Sequence, residues 1–239
     1  MEKRLTVQVW SDVACPWCYV GKRRLEAALA RFPHRDEVEV VWRAFELDPS
    51  AKTVQDAVPH DERLARKYGM ALPEARARIK QLQDVAAKDG LDLRFDRVRS
   101  TNTLDAHRVI RLGAEHGIQD AVKERLMRAY FTEGEALGDR ETLVRLGAEA
   151  GLDAAEVRTM LASDAETAEV RADEREAREL GISGVPFFVL DGRVGVSGAQ
   201  SADVLLRALQ KTWNELAPQR EPSAADATEG ATCGPDGCA

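Results

Sequence analysis

A strand-like stretch of this chain runs directly into a cysteine pair that opens a helix. Leu5, Val7 and Val9 alternate with Thr6, Gln8 and Trp10, the period-two pattern of a half-buried strand. A short loop, Ser11 to Ala14, leads into Cys15-Pro16-Trp17-Cys18. From Tyr19 to Phe32 the residues Val20, Leu25, Ala28, Leu29 and Phe32 recur at helical spacing, until Pro33 stops them. Val38 to Phe45 reads as a second strand. Strand, helix and strand in that order favour a parallel pair joined by a right-handed crossover.

Two residues between the cysteines allow a small-ring disulfide across the first helical turn. The first sulfur then lies where backbone N–H groups are unpaired and the helix dipole is positive, which favours thiolate. A free cysteine titrates near ~8.5, and in such motifs the value falls to about 3.5–7.5. Cys15 is therefore the expected nucleophile, and Cys18, one turn in, the more buried resolving thiol. Pro16 suits the first turn because it has no N–H to leave unsatisfied. Exchange proceeds by attack of Cys15 on a disulfide, followed by displacement of the product by Cys18.

Beyond the second strand the pattern changes. Helical periodicity runs roughly over 59–69, 73–89, 102–116, 119–133, 139–150, 153–162 and 165–180. Gly69, Gly90, Gly117, Gly134, Gly138, Gly151 and Gly181 fall at or just past the ends, and Asp139 and Asp153 are candidate N-caps. The five-residue match between 111–115 and 145–149 is too short to count as a repeat. Strands return at Pro186 to Leu190 and Arg193 to Ser197, joined by a two-residue Asp191-Gly192 turn. A last helix, Ser201 to Leu216, carries Val204, Leu205, Ala208, Leu209 and Trp213 on one face. The order is βαβ, a helical block, then ββα. The expected division is a discontinuous core of residues 1–48 and 181–216, an all-helical insertion over 49–180 and a flexible tail from 217 to 239.

Charge excludes some classes. The net charge is −7, and Lys and Arg are interleaved with Asp and Glu, so no basic patch points to nucleic acid. No apolar run approaches the roughly 20 residues needed to span a bilayer, and the start lacks the long apolar segment of a signal peptide. The expected location is the cytoplasm, with no membrane partner. The four cysteines form two close pairs, Cys15/Cys18 and Cys233/Cys238. In a reducing compartment close pairs mean redox chemistry or metal more often than stapling. Half a zinc site is the alternative for Cys15/Cys18, but bulky Trp17 and the immediate helix favour redox, so no metal is expected.

Ser11-Asp12-Val13-Ala14-Cys15-Pro16-Trp17-Cys18-Tyr19-Val20-Gly21 resembles the active-site segment of the DsbA-like group of the thioredoxin superfamily, which includes the FrnE proteins and the 2-hydroxychromene-2-carboxylate isomerases. Trp42 to Pro49 resembles that group's second strand and its exit. Asn102-Thr103-Leu104-Asp105-Ala106-His107-Arg108 resembles its helical-insertion signature, and Gly181 to Phe188 its cis-proline loop. The matches span residues 5 to about 215 in the right order. The resemblance implies an α/β, thioredoxin-like fold with a large all-helical insertion, and dithiol–disulfide exchange with no cofactor beyond the redox-active disulfide. It implies protein thiols and disulfides as substrates, acted on by oxidation, reduction or isomerisation, and a thioredoxin- or glutathione-type reductant as partner.

The resemblance further implies a cis Val185-Pro186 bond, with Val185 offering its backbone to an extended substrate. Without it, Pro186 is an ordinary strand start. Asp12 could relay a proton, but a cap or turn role is favoured, as is capping for Asn102. The dipeptide Pro16-Trp17 lacks a histidine that would stabilise a thiolate.

Cys233 and Cys238 flank Gly-Pro-Asp-Gly, a strong turn sequence. The pair resembles that of the FrnE proteins. A flexible chain of about 17 residues spans ~21–25 Å, against a radius of gyration near ~18 Å for the body. The tail pair can therefore reach the active site as an auxiliary dithiol, or be an incidental surface pair. Two further functions compete: a glutathione-dependent isomerase or transferase, whose relatives typically carry Ser at the position of Cys15, and a redox-sensing or metal-binding module without turnover.

Overall fold

The computed structural model describes residues 5–53 and 58–216, so Cys233, Cys238 and the tail lie outside the described residues. Four strands form one sheet in the order β2-β1-β3-β4. The alternating start forms β1 (Leu5–Ser11), which pairs in parallel with β2 (Val38–Ala44) and antiparallel with β3 (Phe187–Leu190). β3 pairs antiparallel with β4 (Val194–Ser197).

The connection between these last strands takes three residues rather than the expected two. Asp191 and Gly192 both have positive φ (50° and 66°), and the Arg193 N–H closes on the Leu190 carbonyl at 3.0 Å. Leu190 then pairs with Val194, leaving Arg193 in the turn.

Pleating sends β1 side chains to both faces. Leu5, Val7 and Val9 join one core with Val20 and Leu25 of α1 (Pro16–Ala30) and with Leu205 and Leu209 of α9 (Ala202–Leu216). Trp10 turns to the other face and packs with Ala177, Ile182 and Val189. On α9 the buried stripe is Leu205, Leu206, Leu209, Thr212 and Trp213. Leu206 and Thr212 join it, while Val204 and Ala208 are only partly buried. α1 begins at Pro16, three residues earlier than the apolar periodicity suggests, because the cysteine motif itself forms the first turn.

Between β2 and β3 lie α2 (His60–Tyr68), α3 (Leu72–Lys88), α4 (Leu104–Glu115), α5 (Gln119–Arg128), α6 (Arg140–Glu149), α7 (Ala154–Ala162) and α8 (Thr167–Glu179). α5 stops at Arg128 and continues as a π-helical turn, Ala129–Glu133. Asp139 and Asp153 cap α6 and α7 through the N–H groups of Thr142 and Glu156, at 2.8 and 2.9 Å. Gly138 does not close a helix in the left-handed conformation. It is needed for close approach, since a Cβ there would meet Thr101 Oγ1 and the Thr53 carbonyl at 2.2 Å.

β2 is an edge strand, and two insertion side chains blunt that edge. Gln119 accepts the Trp42 N–H and donates to the Trp42 carbonyl, both at 2.9 Å. Asp173 accepts the Ala44 N–H at 2.9 Å. These bonds fix α5 and α8 to the sheet beside the cysteine loop. Among the described residues, no helix is long and apolar enough to cross a membrane.

Candidate functional site

Cys15 is the N-cap of α1, with extended backbone (φ −93°, ψ 111°), and its sulfur accepts the Cys18 N–H at 3.3 Å. Asp12 shapes the approach: its carbonyl accepts the Cys15 N–H at 3.2 Å and its Oδ1 the Ala14 N–H at 3.1 Å. The sulfur of Cys15 thus sits at the open N–H groups of a helix whose first residue is a proline. Across from it, the Val185-Pro186 bond is cis, and the Cys15 thiol donates to the Val185 carbonyl at 3.6 Å. α1 approaches this loop closely because residue 21 is glycine: a Cβ there would lie 3.0 Å from Pro186 Cγ and 3.3 Å from Phe188 Cζ.

Cys15 is 4 % exposed, Cys18 is fully buried, and both are free thiols. Trp17 beside them is 42 % exposed, and Leu47, at the exit from β2, is 43 % exposed. The large apolar Trp17 side chain therefore stands in solvent within the cysteine motif, while the Cys15 sulfur itself is almost covered.

Behind Cys18 the surroundings are ionisable. Burial pushes its thiol well above the ordinary range, and the neighbouring Cys15 sulfur adds to this; the Asp12 backbone and the Lys123 charge oppose it. Lys123, on α5, is buried, with Nζ 4.9 Å from the centre of the Trp42 ring. Burial lowers its ammonium to about 8, against the pull of Cys18 and Asp12.

Asp12 is buried too. Burial alone would raise its carboxyl, but His107 and the N–H groups of Leu47 (2.8 Å) and Ala14 hold it below the ordinary range. His107, on α4, is 2 % exposed and places Nε2 3.4 Å from Asp12 Oδ1, where it makes no hydrogen bond among the described residues. On the far side Glu46 bonds to Asn102 Nδ2 at 3.2 Å and pairs with Arg171; burial raises its carboxyl against the pull of Arg171.

The turn role expected of Asp12 is present, but the same side chain also ties β1 to the exit of β2 and faces His107. Asn102 is not the cap expected of it: Thr103 holds the N-cap position of α4 without a side-chain cap bond, and Asn102, one residue before, accepts the Leu104 N–H at 2.9 Å in a local turn that leads the chain into the helix. Arg108 serves structure: it bonds to the carbonyls of Met160, Ser163 and Ala165 and to Asp105. Pro16 stands at the first position of α1. Cys15, Cys18, Pro16, Trp17, Val185 and Pro186 converge, whereas Cys233 and Cys238 lie outside the described residues.

Lys123 is the ionisable group that the sequence did not single out; His107 and Glu46 stand in segments that carry the family resemblance but had no place in the expected site. A signal existed for Lys123: it stands four residues from both Gln119 and Met127, on the inward stripe of α5, where lysine is seldom found unless it has a purpose. A separate cleft of about 680 Å³ opens in the insertion, lined by His60, Asp61, Arg76, Phe95, Arg97 and Arg99 among others; none of its lining residues belongs to α1 or the 185–186 loop.

The family profile described as a DSBA-like thioredoxin domain matches residues 6–210. The crystal structure of a probable DsbA oxidoreductase from Streptomyces coelicolor is 47 % identical, with a TM-score of 0.85 and 99 % of each chain covered. YwbO of Bacillus subtilis (strain 168) is 29 % identical over 209 residues, 85 % of this chain and 94 % of that protein. The cytosolic disulfide reductase DsbM from Pseudomonas aeruginosa shares the fold at 24 % identity and a TM-score of 0.59, over 88 % of this chain and 99 % of that one.

Proposed function

The chain belongs to the DsbA-like thioredoxin family, and from that premise we propose that it is an oxidoreductase or isomerase acting on protein disulfides through Cys15 and Cys18. The observation that carries this reading is the placement of Cys15. Its sulfur caps α1, accepts the Cys18 N–H at 3.3 Å and lies 3.6 Å from the Val185 carbonyl. An extended substrate held by the backbone of Val185 would present a disulfide to that sulfur.

The Cys15 thiolate attacks one substrate sulfur, forming a mixed disulfide and expelling the other as a thiolate. Cys18 then attacks Cys15 Sγ, the substrate leaves as its second thiolate, and a Cys15–Cys18 disulfide remains. Run backwards, the same steps oxidise a substrate dithiol. Exposed Trp17, inside the cysteine motif, gives an unfolded or flexible protein an apolar contact that a small disulfide does not need.

Retention of both cysteines speaks against the glutathione-dependent isomerase reading, which needs a single activating hydroxyl. A thioredoxin- or glutathione-type reductant would recycle the dithiol. We assign the cytoplasm as the compartment, in keeping with the cytosolic reductase DsbM that shares the fold. Cys233 and Cys238 would serve as a tethered second dithiol, the feature that gives the chain its likeness to the FrnE proteins. Tethering to the same chain raises effective concentration to about millimolar.

Insulin reduction by dithiothreitol tests the reading. Wild type should accelerate it, Cys15→Ser should not, and Cys233→Ser/Cys238→Ser should slow recycling. Three identical traces at the uncatalysed rate would refute it. For the tail, a Cys18→Ser variant in which no peptide links Cys15 to Cys233 or Cys238 removes the relay.

A further inference from the structure

Residues 89–103 run between α3 and α4 without helix or strand. Stretches of this length inside a compact domain are most often either functional or disordered, and this one is pinned. The Arg94 N–H donates to the Phe131 carbonyl at 2.7 Å, and the Thr132 hydroxyl donates to the Asp92 carbonyl at 2.8 Å. Both partners lie in the π-helical turn that follows α5, and Gly134 closes that turn. A Cβ on Gly134 would meet Arg97 Cβ at 2.7 Å and the Arg97 carbonyl at 2.9 Å. The segment is thus held by packing that only glycine allows.

That segment forms one wall of the cleft in the insertion. The cleft holds about 680 Å³, within the roughly 300–1,000 Å³ of ligand pockets. Its charges do not cancel. Asp61 accepts from Arg76 at 2.8 Å and Asp96 pairs with Arg94 at 3.1 Å, so both lining carboxylates are engaged. Arg97 and Arg99 are exposed and form no ion pair among the described residues. The chain carries 41 acidic residues against 34 basic ones. With acids in surplus, two unpaired guanidiniums at one cleft leave positive charge available to a partner from outside.

Deeper in the cleft the lining changes character. His60 stacks on Phe95 with ring centres 4.8 Å apart, and its Nδ1 is buried without a hydrogen-bond partner among the described residues. Buried polar atoms normally find a partner, so one left over asks for an explanation. Burial, helped by the Arg63 charge, lowers the His60 imidazolium to about 4, which leaves the ring neutral at neutral pH. Ile79 and Val98 supply apolar surface beside it.

We propose that this cleft binds a small organic anion, its carboxylate or phosphate held by Arg97 and Arg99 and its apolar body lying against Ile79, Val98 and His60. The guanidinium fork matches the oxygens of either head group. The neutral imidazole lets the body enter without burying a charge, and its Nδ1 can meet a polar atom of the ligand. No lining residue comes from α1 or the 185–186 loop. The site is therefore separate from the dithiol, and it stands or falls independently of the disulfide-exchange reading.

Histidine-ring NMR of the full chain tests it. The chain has four histidines, and the His60 signal is the one lost in His60→Gln. Phenyl phosphate and benzoate serve as probes, with inorganic phosphate as the head group alone and benzyl alcohol as the body alone. At least one of the two aromatic anions should shift the His60 signal saturably, and the tighter of them identifies the head group. Inorganic phosphate and benzyl alcohol should bind on the order of 10-fold more weakly or worse. Arg97→Gln/Arg99→Gln should weaken the aromatic anion by on the order of 10-fold or more, and Cys15→Ser/Cys18→Ser should leave its affinity unchanged.

No saturable shift with either aromatic anion would overturn the proposal. Equal affinity for benzyl alcohol or for inorganic phosphate would overturn it too, as would unchanged affinity in the arginine variant. Binding lost in the cysteine variant would place the ligand at the dithiol and refute a separate site. Arg97→Gln/Arg99→Gln alters only exposed side chains, so that comparison decides even where His60→Gln does not fold.

Discussion

The two cysteines stand three residues apart yet occupy opposite kinds of surroundings. Cys15 is framed by main chain: the Cys18 N–H, the Asp12 carbonyl behind its own N–H, and the Val185 carbonyl in front. Cys18 is framed by side chains from elsewhere in the sequence, Lys123 among them, with Asp12, His107 and Glu46 extending the charged layer. Backbone dipoles are in place wherever a helix begins after a strand. Buried charges have to be brought in, and here the insertion brings them. The front is thus shared with any helix-capped cysteine, while the back belongs to this chain.

The largest expected effect breaks the front. Cys15→Ser should return disulfide exchange to the uncatalysed rate, measured by insulin turbidity, whereas Cys18→Ser should still complete the first attack and then stall as a mixed disulfide.

The next effect sharpens the back, and it acts on stability. The folded Lys123 loses its proton near 8, while the unfolded chain holds it to the ordinary 10.5. Between those values the unfolded state binds more protons, so stability rises with pH through that window. Below about 8 the full cost of the buried charge is present. Lys123→Met should therefore stabilise the fold by on the order of 3 kcal/mol in mildly acidic buffer, with the gain shrinking as pH passes 8 towards 10.5. Urea melts at a series of pH values measure it; a gain that does not change with pH would contradict the buried-charge account.

A comparable but smaller effect should come from the seam between helix and loop. Gly21→Val would press on Pro186 and Phe188, and chemical denaturation should show a loss of about 1–3 kcal/mol.

The smallest structural effect is expected at Trp17. Being largely in solvent, Trp17→Ala should leave stability within about 0.5 kcal/mol. Its KM for a protein disulfide should rise, with rates on a small aromatic disulfide unchanged.

The front of the site was legible because its signals are local. Proline at the first helical position, two cysteines one turn apart and a strand before them specify N-cap geometry without knowledge of the rest. The helices of the insertion were legible for the same reason, from periodicity and from caps such as Asp139 and Asp153. The three-residue turn at Asp191–Arg193 escaped, because loop length depends on the register of β3 against β4. The back of the site escaped for a deeper reason. Lys123 and His107 lie more than 85 residues of sequence from the cysteine motif, and neither the inward position of Lys123 on its helix nor the presence of His107 in the insertion signature says which part of the core it meets. Gln119 shows the same limit: its clasp on Trp42 exists only once α5 lies against the edge of the sheet.

The central claim is that Cys15 is the attacking sulfur of a dithiol pair, and trapping tests it most directly. A Cys18→Ser protein incubated with a disulfide-bonded protein substrate should accumulate a mixed disulfide, and peptide mass spectrometry should place the link on Cys15. No adduct, or a substrate link found only on Cys233 or Cys238, would contradict the account.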